Sequence, residues 1–448
     1  MQDGKKYFGT DGIRASYGQY PISPLGMLDI ARAVAQTIPS SLKNMPTCVV
    51  GRDPRASGTT LALSFCSGLC AQGVHVIDVG MLPTPAIALL TRLLQADLGA
   101  VISASHNPAA DNGIKFFTSS GYKISKDREQ AIEAALKQPA VASGAQFGAY
   151  REHADADAQY QTYCQQRFGV ASMNGLKVVL DCAHGAMSYI APAVYKSLGA
   201  ELTVVGAEPT GLNINEQCGA TDLNLLSHTV CLVGADIGFA FDGDGDRLMA
   251  VDHLGQVHDG DDLLFVLASA RIAKGELLNG VVGTEFTNLG LSKALGRQQV
   301  PFFAAPVGDR EVVECMQAKG LTLGGESSGH LVDLLEMTTG DGLLSSLLIV
   351  RALKQLKLSL AQACAAMPRF ASRQLNIPCL PEQMAYLVQH LKETTASLQA
   401  FEGQVRIVIR PSGTEPVVRV RIESLDLEII SKLSELIQGA AQQAMAAI

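Results

Sequence analysis

The sequence predicts an α/β protein of several domains that ends in a smaller α+β domain. Three stretches of the 448-residue chain alternate short apolar strands with helical segments, a pattern typical of largely parallel sheets. In the last stretch, strands and helices follow one another with hairpin-like spacing instead. At about 100–150 residues per domain, the length allows three or four domains. We place the boundaries at residues 1–155, 156–255, 256–368 and 369–448.

Composition excludes several function classes. The chain is 47% hydrophobic and 17% charged, as in globular proteins with large cores. A net charge of −8 gives no basic footprint for nucleic acid or an anionic membrane, although a site for an anionic substrate needs only local positive charge. The longest apolar run, near residues 343–350, is far shorter than the roughly 20 residues of a membrane span.

The cysteines and the first residues of the sequence favour a reducing compartment. The ten cysteines form no C-x-x-C pair and no zinc spacing, and most lie in apolar runs, as buried thiols do under reducing conditions. Residues 1–6 contain no apolar signal core. We therefore expect a cytoplasmic protein that binds neither nucleic acid nor membrane.

The first domain is predicted to run β-α-β-α-β. Strands are expected at 47–50, 74–79 and 98–103, with helices at 59–71 and 85–94. The last of these strands is apolar and ends in Ser, His, Asn and Pro, which do not continue a central strand. Residues 139–168 are polar and alanine-rich, and we expect a linking helix there.

The second and third domains repeat the alternation, and the fourth changes it. In the second we expect strands at 176–181, 202–205 and 237–241, helices at 187–198 and 222–230, and a hairpin over 248–258. In the third we expect strands at 281–283 and 302–305, helices at 259–273 and 289–295, another helix opening at 307–310, and a long one over 341–367. The fourth is predicted to hold strands at 374–377, 405–409 and 417–422 and helices at 381–398 and 426–445. We find no self-similar sequence among the first three regions, so the residues alone establish no repeat.

The stretch Val101-Ile-Ser-Ala-Ser-His-Asn-Pro108 carries the candidate nucleophile, Ser105. In open α/β sheets, ligands collect outside the carboxyl ends of strands, and Ser105 follows such an end in a loop of small residues. The alternative is an ordinary exit from a strand into a turn. His106 suggests a Ser–His hydrolase, but adjacent side chains rarely aim at each other.

Two cations are further candidates. Lys115 could hold a phosphate or act as an acid or base, unless it is a strand lysine that extends into solvent. Arg14 ends the glycine-rich segment 7–14, whose alternative is a plain strand with a turn.

Asp242-Gly-Asp-Gly-Asp246 predicts a metal site. Carboxylates at every second position after a strand share one face, and the glycines keep bulk away. An all-oxygen cluster suits Mg²⁺, whereas three unpaired carboxylates would repel one another. An EF-hand is excluded because its sixth and twelfth positions hold Arg247 and His253. The remaining alternative is a solvated acidic turn.

Two later loops are candidate substrate-binding segments. Arg410-Pro-Ser-Gly-Thr-Glu-Pro416 offers a guanidinium, hydroxyls and backbone N–H groups for an oxyanion, and Arg419 adds a second cation. The loop that runs from Glu326 through Ser328 to His330 combines a carboxylate, hydroxyls and an imidazole, a set suited to sugar hydroxyls or an amine. A surface turn and a structural histidine are the alternatives.

Taken in order, these segments resemble the α-D-phosphohexomutase superfamily. Its landmarks are Ser-Ala-Ser-His-Asn-Pro, Asp-Gly-Asp-Gly-Asp-Arg, Gly-Glu-Ser-Ser-Gly-His and Arg-Pro-Ser-Gly-Thr-Glu-Pro, and the likeness covers nearly the whole chain. Three further segments are similar to the branch that acts on glucosamine phosphates. They are residues 7–14, 212–221 and 307–310.

The resemblance implies a fold and an activity. The expected fold is three similar α/β domains with mixed, mainly parallel sheets and a smaller C-terminal α+β domain around a central cleft. The implied activity is the reversible isomerisation of glucosamine 6-phosphate to glucosamine 1-phosphate, through a phosphoserine enzyme and a 1,6-bisphosphate. It would feed UDP-N-acetylglucosamine and cell-wall precursor synthesis. Mg²⁺, the glucosamine or glucose 1,6-bisphosphate and a phosphorylated serine are the implied cofactors, and a homodimer is a further expectation.

The resemblance also assigns roles to single residues. Ser105 carries the phosphoryl group and completes the ligand set of the metal. The remaining assignments place Asp242, Asp244 and Asp246 at the metal, Arg14, His106, Lys115 and His330 among cationic and acid/base residues, and Arg247, Glu326, Ser328, Arg410, Ser412, Gly413, Thr414 and Arg419 at the substrate. Ala15, Ser327 and Pro411 depart from the family pattern without removing a functional group.

Three other functions stay open at this point. A phosphoglucomutase or phosphomannomutase would use the same chemistry on another sugar. A non-catalytic sugar-phosphate-binding relative would keep the fold alone, and a serine-based phosphatase would release free phosphate.

Overall fold

The structure, a computed structural model, describes residues 6–38, 45–138, 146–168, 172–396, 405–412 and 416–446. Its strands form four sheets of six, five, four and three strands, one after another along the chain. Helices pack on each sheet. The predicted fold class is confirmed: three α/β domains precede a smaller α+β domain.

The first domain has a mixed sheet in the order β1-β5-β4-β2-β3-β6. Its elements are β1 Ile13–Ser16, α1 Pro24–Ala35, β2 Thr47–Arg52, α2 Gly58–Ala71, β3 His75–Met81, α3 Thr84–Leu93, β4 Leu98–Ile102, β5 Asp111–Thr118, α4 Lys126–Leu136 and β6 Tyr150–Glu152. Strands β2, β3, β4 and β6 are parallel, whereas β5 runs antiparallel to both β4 and β1. The antiparallel β5 brings its side chains beside the end of β4, where the candidate serine follows.

Helices α1 and α4 are absent from the sequence prediction, although both carry clear start signals. The hydroxyl of Ser23 accepts the N–H of Gly26 at 3.1 Å, and Pro24 occupies the first turn of α1. The hydroxyl of Ser125 likewise accepts the N–H of Arg128 at 3.3 Å. The α1 segment also has apolar residues at helical spacing, at positions 27, 30, 31 and 34, so the prediction overlooked two signals there. The α4 segment is mostly polar, and its cap was the better signal.

The second and third domains hold the next two sheets, in the orders β11-β10-β9-β7-β8 and β13-β12-β14-β15. The second comprises α5 Ala156–Gln166, β7 Lys177–Asp181, α6 Ile190–Ser197, β8 Glu201–Val205, α7 Asn224–Val233, β9 Ile237–Phe241, β10 Leu248–Asp252 and β11 Val257–His258. The third comprises α8 Gly260–Ala273, β12 Val281–Thr284, α9 Leu289–Arg297, β13 Phe302–Ala305, α10 Asp309–Lys319, β14 Leu323–Gly325, β15 Leu331–Asp333, α11 Gly342–Leu356 and α12 Leu360–Cys364.

The long helix predicted over 341–367 is wrong, because the segment forms two helices. Lys357 adopts the left-handed conformation with φ of 56° and ends α11. Ser359 then starts α12 with a capping box, in which its hydroxyl and the side chain of Gln362 exchange hydrogen bonds with the backbone. The apolar pattern continues across the break, so periodicity alone could not reveal it.

The fourth domain pairs its strands in the order β16-β18-β17 and has a core of its own. Its elements are β16 Ala371–Pro378, α13 Met384–Ala396, β17 Val405–Pro411, β18 Val417–Ser424 and α14 Leu427–Ala446. By contrast, one apolar cluster, from Val49 to Met367, runs through the first three domains. The first three sheets therefore form one packed body, to which the fourth domain is added.

No helix in the described part of the chain is long and apolar enough to cross a bilayer. The ten cysteines are free thiols, and most of them are buried.

Candidate active site

Ser105 follows the carboxyl end of β4 in the serine loop, residues 103–108, and is fully buried. Its hydroxyl lies against the acidic loop of the second domain, residues 242–246. Its Oγ donates to Oδ2 of Asp242 at 2.5 Å. The backbone at Ser105 has φ of 52°, in the left-handed region, so the chain reverses sharply there. The turn is held by the Ser103 hydroxyl, which accepts the N–H of Ser105 at 2.9 Å and donates to Asp53 at 2.6 Å.

The three aspartates converge at the end of β9, as their spacing predicts. One carboxylate oxygen from each of Asp242, Asp244 and Asp246 lies within 4.8 Å of the others, and all three side chains are buried. Burial and the neighbouring charges of Asp246 and Asp244 raise the pKa of Asp242 to about 7.

This cluster fits a magnesium ion. Oδ1 of Asp244 is buried and has no hydrogen-bond partner among the described residues, which marks an oxygen left over for a cation. Three buried carboxylate oxygens so close together form the hard donor set that Mg²⁺ prefers. The chemistry of the donors therefore agrees with the predicted metal.

Lys115 is buried between the first two domains rather than extended into solvent. Its Nζ lies 2.8 Å from Asp244, 3.1 Å from Asp246 and 3.1 Å from Asp11. Burial opposes the ammonium form, but these three carboxylates hold the pKa of Lys115 well above its usual value. The amine is therefore a fixed cation beside the acidic loop.

Asp11 is a residue that sequence reasoning missed, and it organises the other cations. It forms ion pairs with Arg14 and, at 2.5 Å, with Lys123. Lys123 in turn lies 2.5 Å from Asp309 at the start of α10. Asp11 and Asp309 lie in segments 7–14 and 307–310, both of which stand out in the sequence. Within these segments only Arg14 was predicted to be a site residue, and the two aspartates were overlooked. Arg14 also donates to Asn107 Oδ1 at 3.3 Å, within the serine loop.

His330 joins the loop that begins at Glu326, in the third domain, to the acidic loop. Its Nε2 lies 3.0 Å from Asp246 Oδ1, and its Nδ1 lies 3.4 Å from Glu326 Oε2. Burial disfavours the imidazolium, but Asp246 outweighs it and raises the pKa of His330 to about 10. The other oxygen of Glu326 accepts the N–H of Gly308 at 3.0 Å, so this loop and the start of α10 are held together.

His106 and Arg247 lie beside Ser105 and its partner Asp242. His106 Nδ1 lies 3.5 Å from Ser105 Oγ, at the limit of a hydrogen bond. Burial, followed by the charges of Arg247 and Arg14, lowers the pKa of His106 to about 4. The Arg247 backbone N–H donates to Asp242 at 3.1 Å, and its guanidinium lies 3.8 Å from the same carboxylate.

A cleft of about 450 Å³ opens beside these groups, within the ~300–1,000 Å³ usual for small-molecule sites. A larger hollow of about 630 Å³ lies far from this chemistry, between β9 and α11. The residues that line the cleft are Tyr7, Gly9, Thr10, Asp11, Gly12, Arg14, His106, Arg247, Val307, Gly308, Asp309, Glu326, Ser328 and His330. Within the described ranges all of them come from the first and third domains and the acidic loop of the second.

The predicted phosphate loop lies on the β17–β18 hairpin of the fourth domain. Arg410 pairs with Arg419 across the two strands, and its guanidinium stacks 4.3 Å from the Phe286 ring of the third domain. Burial and then the charge of Arg419 lower the pKa of Arg410. The N–H of Ser412 donates to Val417 at 2.9 Å, while Gly413 and Thr414 lie outside the described residues.

Known proteins resemble this chain along its whole length. Four profiles described as phosphoglucomutase/phosphomannomutase match: alpha/beta/alpha domain I at 5–141, domain II at 158–255, domain III at 259–370 and the C-terminal domain at 381–438. A phosphoglucosamine mutase of Actinobacillus succinogenes is 44% identical over 98% of this chain and 99% of its own. One of Chromobacterium violaceum is 45% identical over 99% of this chain and all of its own.

Solved structures share the fold at lower identity. A phosphoglucomutase/phosphomannomutase family protein of Burkholderia thailandensis aligns with a TM-score of 0.82 at 24% identity, over 97% of each chain. An N-acetylphosphoglucosamine mutase of Aspergillus fumigatus, solved with GlcNAc-6P and magnesium, aligns with a TM-score of 0.69 at 15% identity, over 99% of this chain and 97% of its own.

Proposed function

The chain belongs to the phosphoglucosamine mutases of the phosphoglucomutase/phosphomannomutase family, and from this membership we propose how its residues interconvert glucosamine 6-phosphate and glucosamine 1-phosphate. The observation that carries the proposal is the contact between Ser105 Oγ and Asp242, beside Lys115 and one wall of a sugar-sized cleft. A nucleophile, a donor set for a divalent ion and a fixed cation meet at that point.

The proposed cycle has two phosphoryl transfers. Phosphorylated Ser105 gives its phosphoryl group to the 1-hydroxyl of glucosamine 6-phosphate, which forms the 1,6-bisphosphate. The bisphosphate reorients within the cleft, and its 6-phosphoryl group is transferred to Ser105. Glucosamine 1-phosphate then leaves, and Ser105 keeps the returned phosphoryl group for the next cycle.

Charge neutralisation is the main catalytic contribution in such a transfer. Asp242, Asp244 and Asp246, with an oxygen of the Ser105 phosphate, would hold Mg²⁺, which supplies positive charge beside the transferring group when bound. Lys115 adds a second positive charge, fixed by Asp11 and the acidic loop.

The 1-hydroxyl must lose its proton in the first transfer, and the 6-oxygen must gain a proton in the second. Arg14, Lys115 and His330 are the candidates for this task, because all three lie at the cleft or the acidic loop. The raised pKa values of Lys115 and His330 keep both protonated in this state, so they are suited to donating the second proton rather than to taking the first. Glu326 and Ser328 line the cleft on the third domain, where we assign them to the sugar hydroxyls and amine.

We assign the non-reacting phosphate to Arg410, Ser412, Gly413, Thr414 and Arg419, with the fourth domain closing over the cleft. The separate core of that domain supports such a movement, and closure would exclude water and retain the bisphosphate.

For the Arg410→Ala variant, we expect KM for glucosamine 6-phosphate to rise about tenfold or more, because a charge-assisted hydrogen bond to phosphate is lost. The effect on kcat should be smaller, since Arg410 holds the phosphate that does not react. Steady-state kinetics provide the measurement. Arg373→Ala is the matched control, because Arg373 is an exposed arginine on β16 of the same sheet, and its removal should leave KM unchanged. An unaltered KM in Arg410→Ala would refute the assignment.

A comparison of sugars tests the substrate. We expect kcat/KM to be highest for glucosamine 6-phosphate among the 6-phosphates of glucosamine, glucose and mannose. A preference for glucose or mannose would indicate a phosphoglucomutase or phosphomannomutase instead. Release of free phosphate would indicate a phosphatase, and the absence of any turnover would leave only a binding role.

Two further proposals concern the setting of the enzyme. Buried free thiols support a reducing, cytoplasmic location. A homodimer remains a proposal from the family resemblance, and sedimentation of the purified chain would test it.

A further inference from the structure

Asn215 links the second domain to the backbone of the serine loop. It lies in segment 212–221, which the resemblance singled out and which the proposed cycle does not use. Its Nδ2 donates to the carbonyl oxygen of Ser105 at 2.9 Å and to that of Asn107 at 3.2 Å. Because both partners are carbonyl acceptors, the NH₂ group of the amide must face them.

Arg55 holds the same two carbonyls from within the first domain. Its Nη2 donates to Ser105 at 2.9 Å and to Asn107 at 2.8 Å, and its Nη1 donates to Asp111 at 2.9 Å. The guanidinium is fully buried and paired with Asp53 at 2.9 Å. The carbonyl oxygen of Ser105 therefore receives one donor from each domain.

The acidic loop packs directly against the contact between the Asn215 amide and the Ser105 carbonyl. A Cβ added to Gly243 would lie 2.6 Å from the Ser105 carbonyl oxygen and 2.8 Å from Asn215 Nδ2, closer than atoms can pack. Gly243 stands between Asp242 and Asp244. The amide, the serine backbone and the acidic loop therefore meet at a single point, and glycine is required there.

Two local features of Asn215 are unfavourable in themselves. Its backbone has φ of 60°, a conformation that asparagine tolerates better than most residues. Its Oδ1 is buried and has no hydrogen-bond partner among the described residues. Since neither feature stabilises the fold, the two hydrogen bonds of Nδ2 to the serine loop are what the amide contributes.

We propose that Asn215 is a positioning residue for phosphoryl transfer, holding the nucleophile of the first domain in register with the carboxylates of the second. The inference rests on the proposed role of Ser105. The reacting oxygen and the acidic loop belong to different domains, and the phosphoryl group must leave and return along the same path. A misplacement of about 1 Å in such a geometry can lower the rate about a hundredfold.

Asn215→Gly tests this, because glycine accepts φ of 60° and removes only the amide. We expect kcat, normalised to the phosphoserine content of the preparation, to fall about tenfold, with KM within about twofold of the parent. The single-turnover rate of transfer from phosphorylated Ser105 to glucosamine 6-phosphate should fall by the same factor. Asn215→Asp places carboxylate oxygens against two carbonyls and should lower that rate further.

Asn213→Ala is the matched control. Among the described residues its side chain bonds only to the neighbouring residues 208 and 210, donating to the Glu208 carbonyl at 3.0 Å and accepting the N–H and the hydroxyl of Thr210 at 2.8 and 2.9 Å. We expect its kcat and KM to match the parent.

The outcomes of these experiments distinguish a failure of the positioning role of Asn215 from a failure of the proposed phosphoryl transfer through Ser105. An unchanged normalised rate in both Asn215 variants, with Ser105→Ala inactive, would overturn the positioning role and leave the proposed function intact. A lower melting temperature with an unchanged normalised rate would also overturn it, since that is what a merely structural residue gives. An active Ser105→Ala variant would overturn the function itself.

Discussion

The Ser105→Ala variant is expected to lose turnover by about 10⁴-fold or more, because the proposed carrier of the phosphoryl group is removed. Intact mass of the purified variant should show no phosphorylated species, and incubation with glucosamine 1,6-bisphosphate should add none. The fold should survive, since the hydroxyl loses only its contacts with Asp242 and His106, and the hydrogen bond from Arg55 to the Ser105 carbonyl remains.

Ser103→Ala is the informative control for that experiment. Ser103 stands two residues before Ser105, but its hydroxyl donates to Asp53 and accepts the N–H of Ser105, so it supports the loop from behind. We expect this variant to keep its phosphorylation and to lose only part of its activity. If phosphate remained on Ser105→Ala and disappeared from Ser103→Ala, the assignment of the nucleophile would be wrong.

The Asp244→Asn variant is expected to lower kcat about a thousandfold and to shift the Mg²⁺ concentration for half-maximal activity upward. The substitution preserves shape but removes one negative charge from the three-carboxylate cluster, and Asp244 Oδ1 is the oxygen that has no partner among the described residues. A Mg²⁺ titration of activity provides the measurement, and metal binding followed by calorimetry gives a readout that does not depend on turnover.

Asp252→Asn controls for the loss of a buried carboxylate in the same domain. Asp252 is equally buried on β10, where it accepts two backbone N–H groups and lies 3.0 Å from His258, away from the cleft. It should change stability without altering the Mg²⁺ dependence. An Asp244→Asn enzyme with the parent's Mg²⁺ titration would exclude the acidic loop as the metal site.

The groups to which we assign the chemistry could be proposed from the sequence because each lies in a short contiguous motif. The strand before Ser105 ends at Ile102, within one residue of its predicted end, and β9 ends at Phe241, as predicted. The alternating carboxylates marked the site, but residues 242–246 form a turn rather than a continuing strand, with Gly245 at φ of 75°. Backbone hydrogen bonds from Thr84, Ala186 and Gly342 hold the turn that brings the three carboxylates together.

The partners of these groups could not be found in this way. Lys115 reaches Asp244 across 129 positions of sequence, and Asn215 reaches the Ser105 carbonyl across 110. Such pairs leave no periodic trace in either segment. The break at Lys357 was also hidden, because the apolar pattern runs on through it while the left-handed backbone of one residue ends the helix.

The sequence by itself determined the class of fold, the order of the domains and the candidates for the reacting groups, since apolar periodicity and short motifs are local properties of the chain. Only the tertiary structure decided that Asp11 joins Arg14, Lys115 and Lys123 and that two domains grip one serine carbonyl. The physical reason is that buried charges and carbonyls must be paired, and which distant side chain pairs them depends on how the sheets pack.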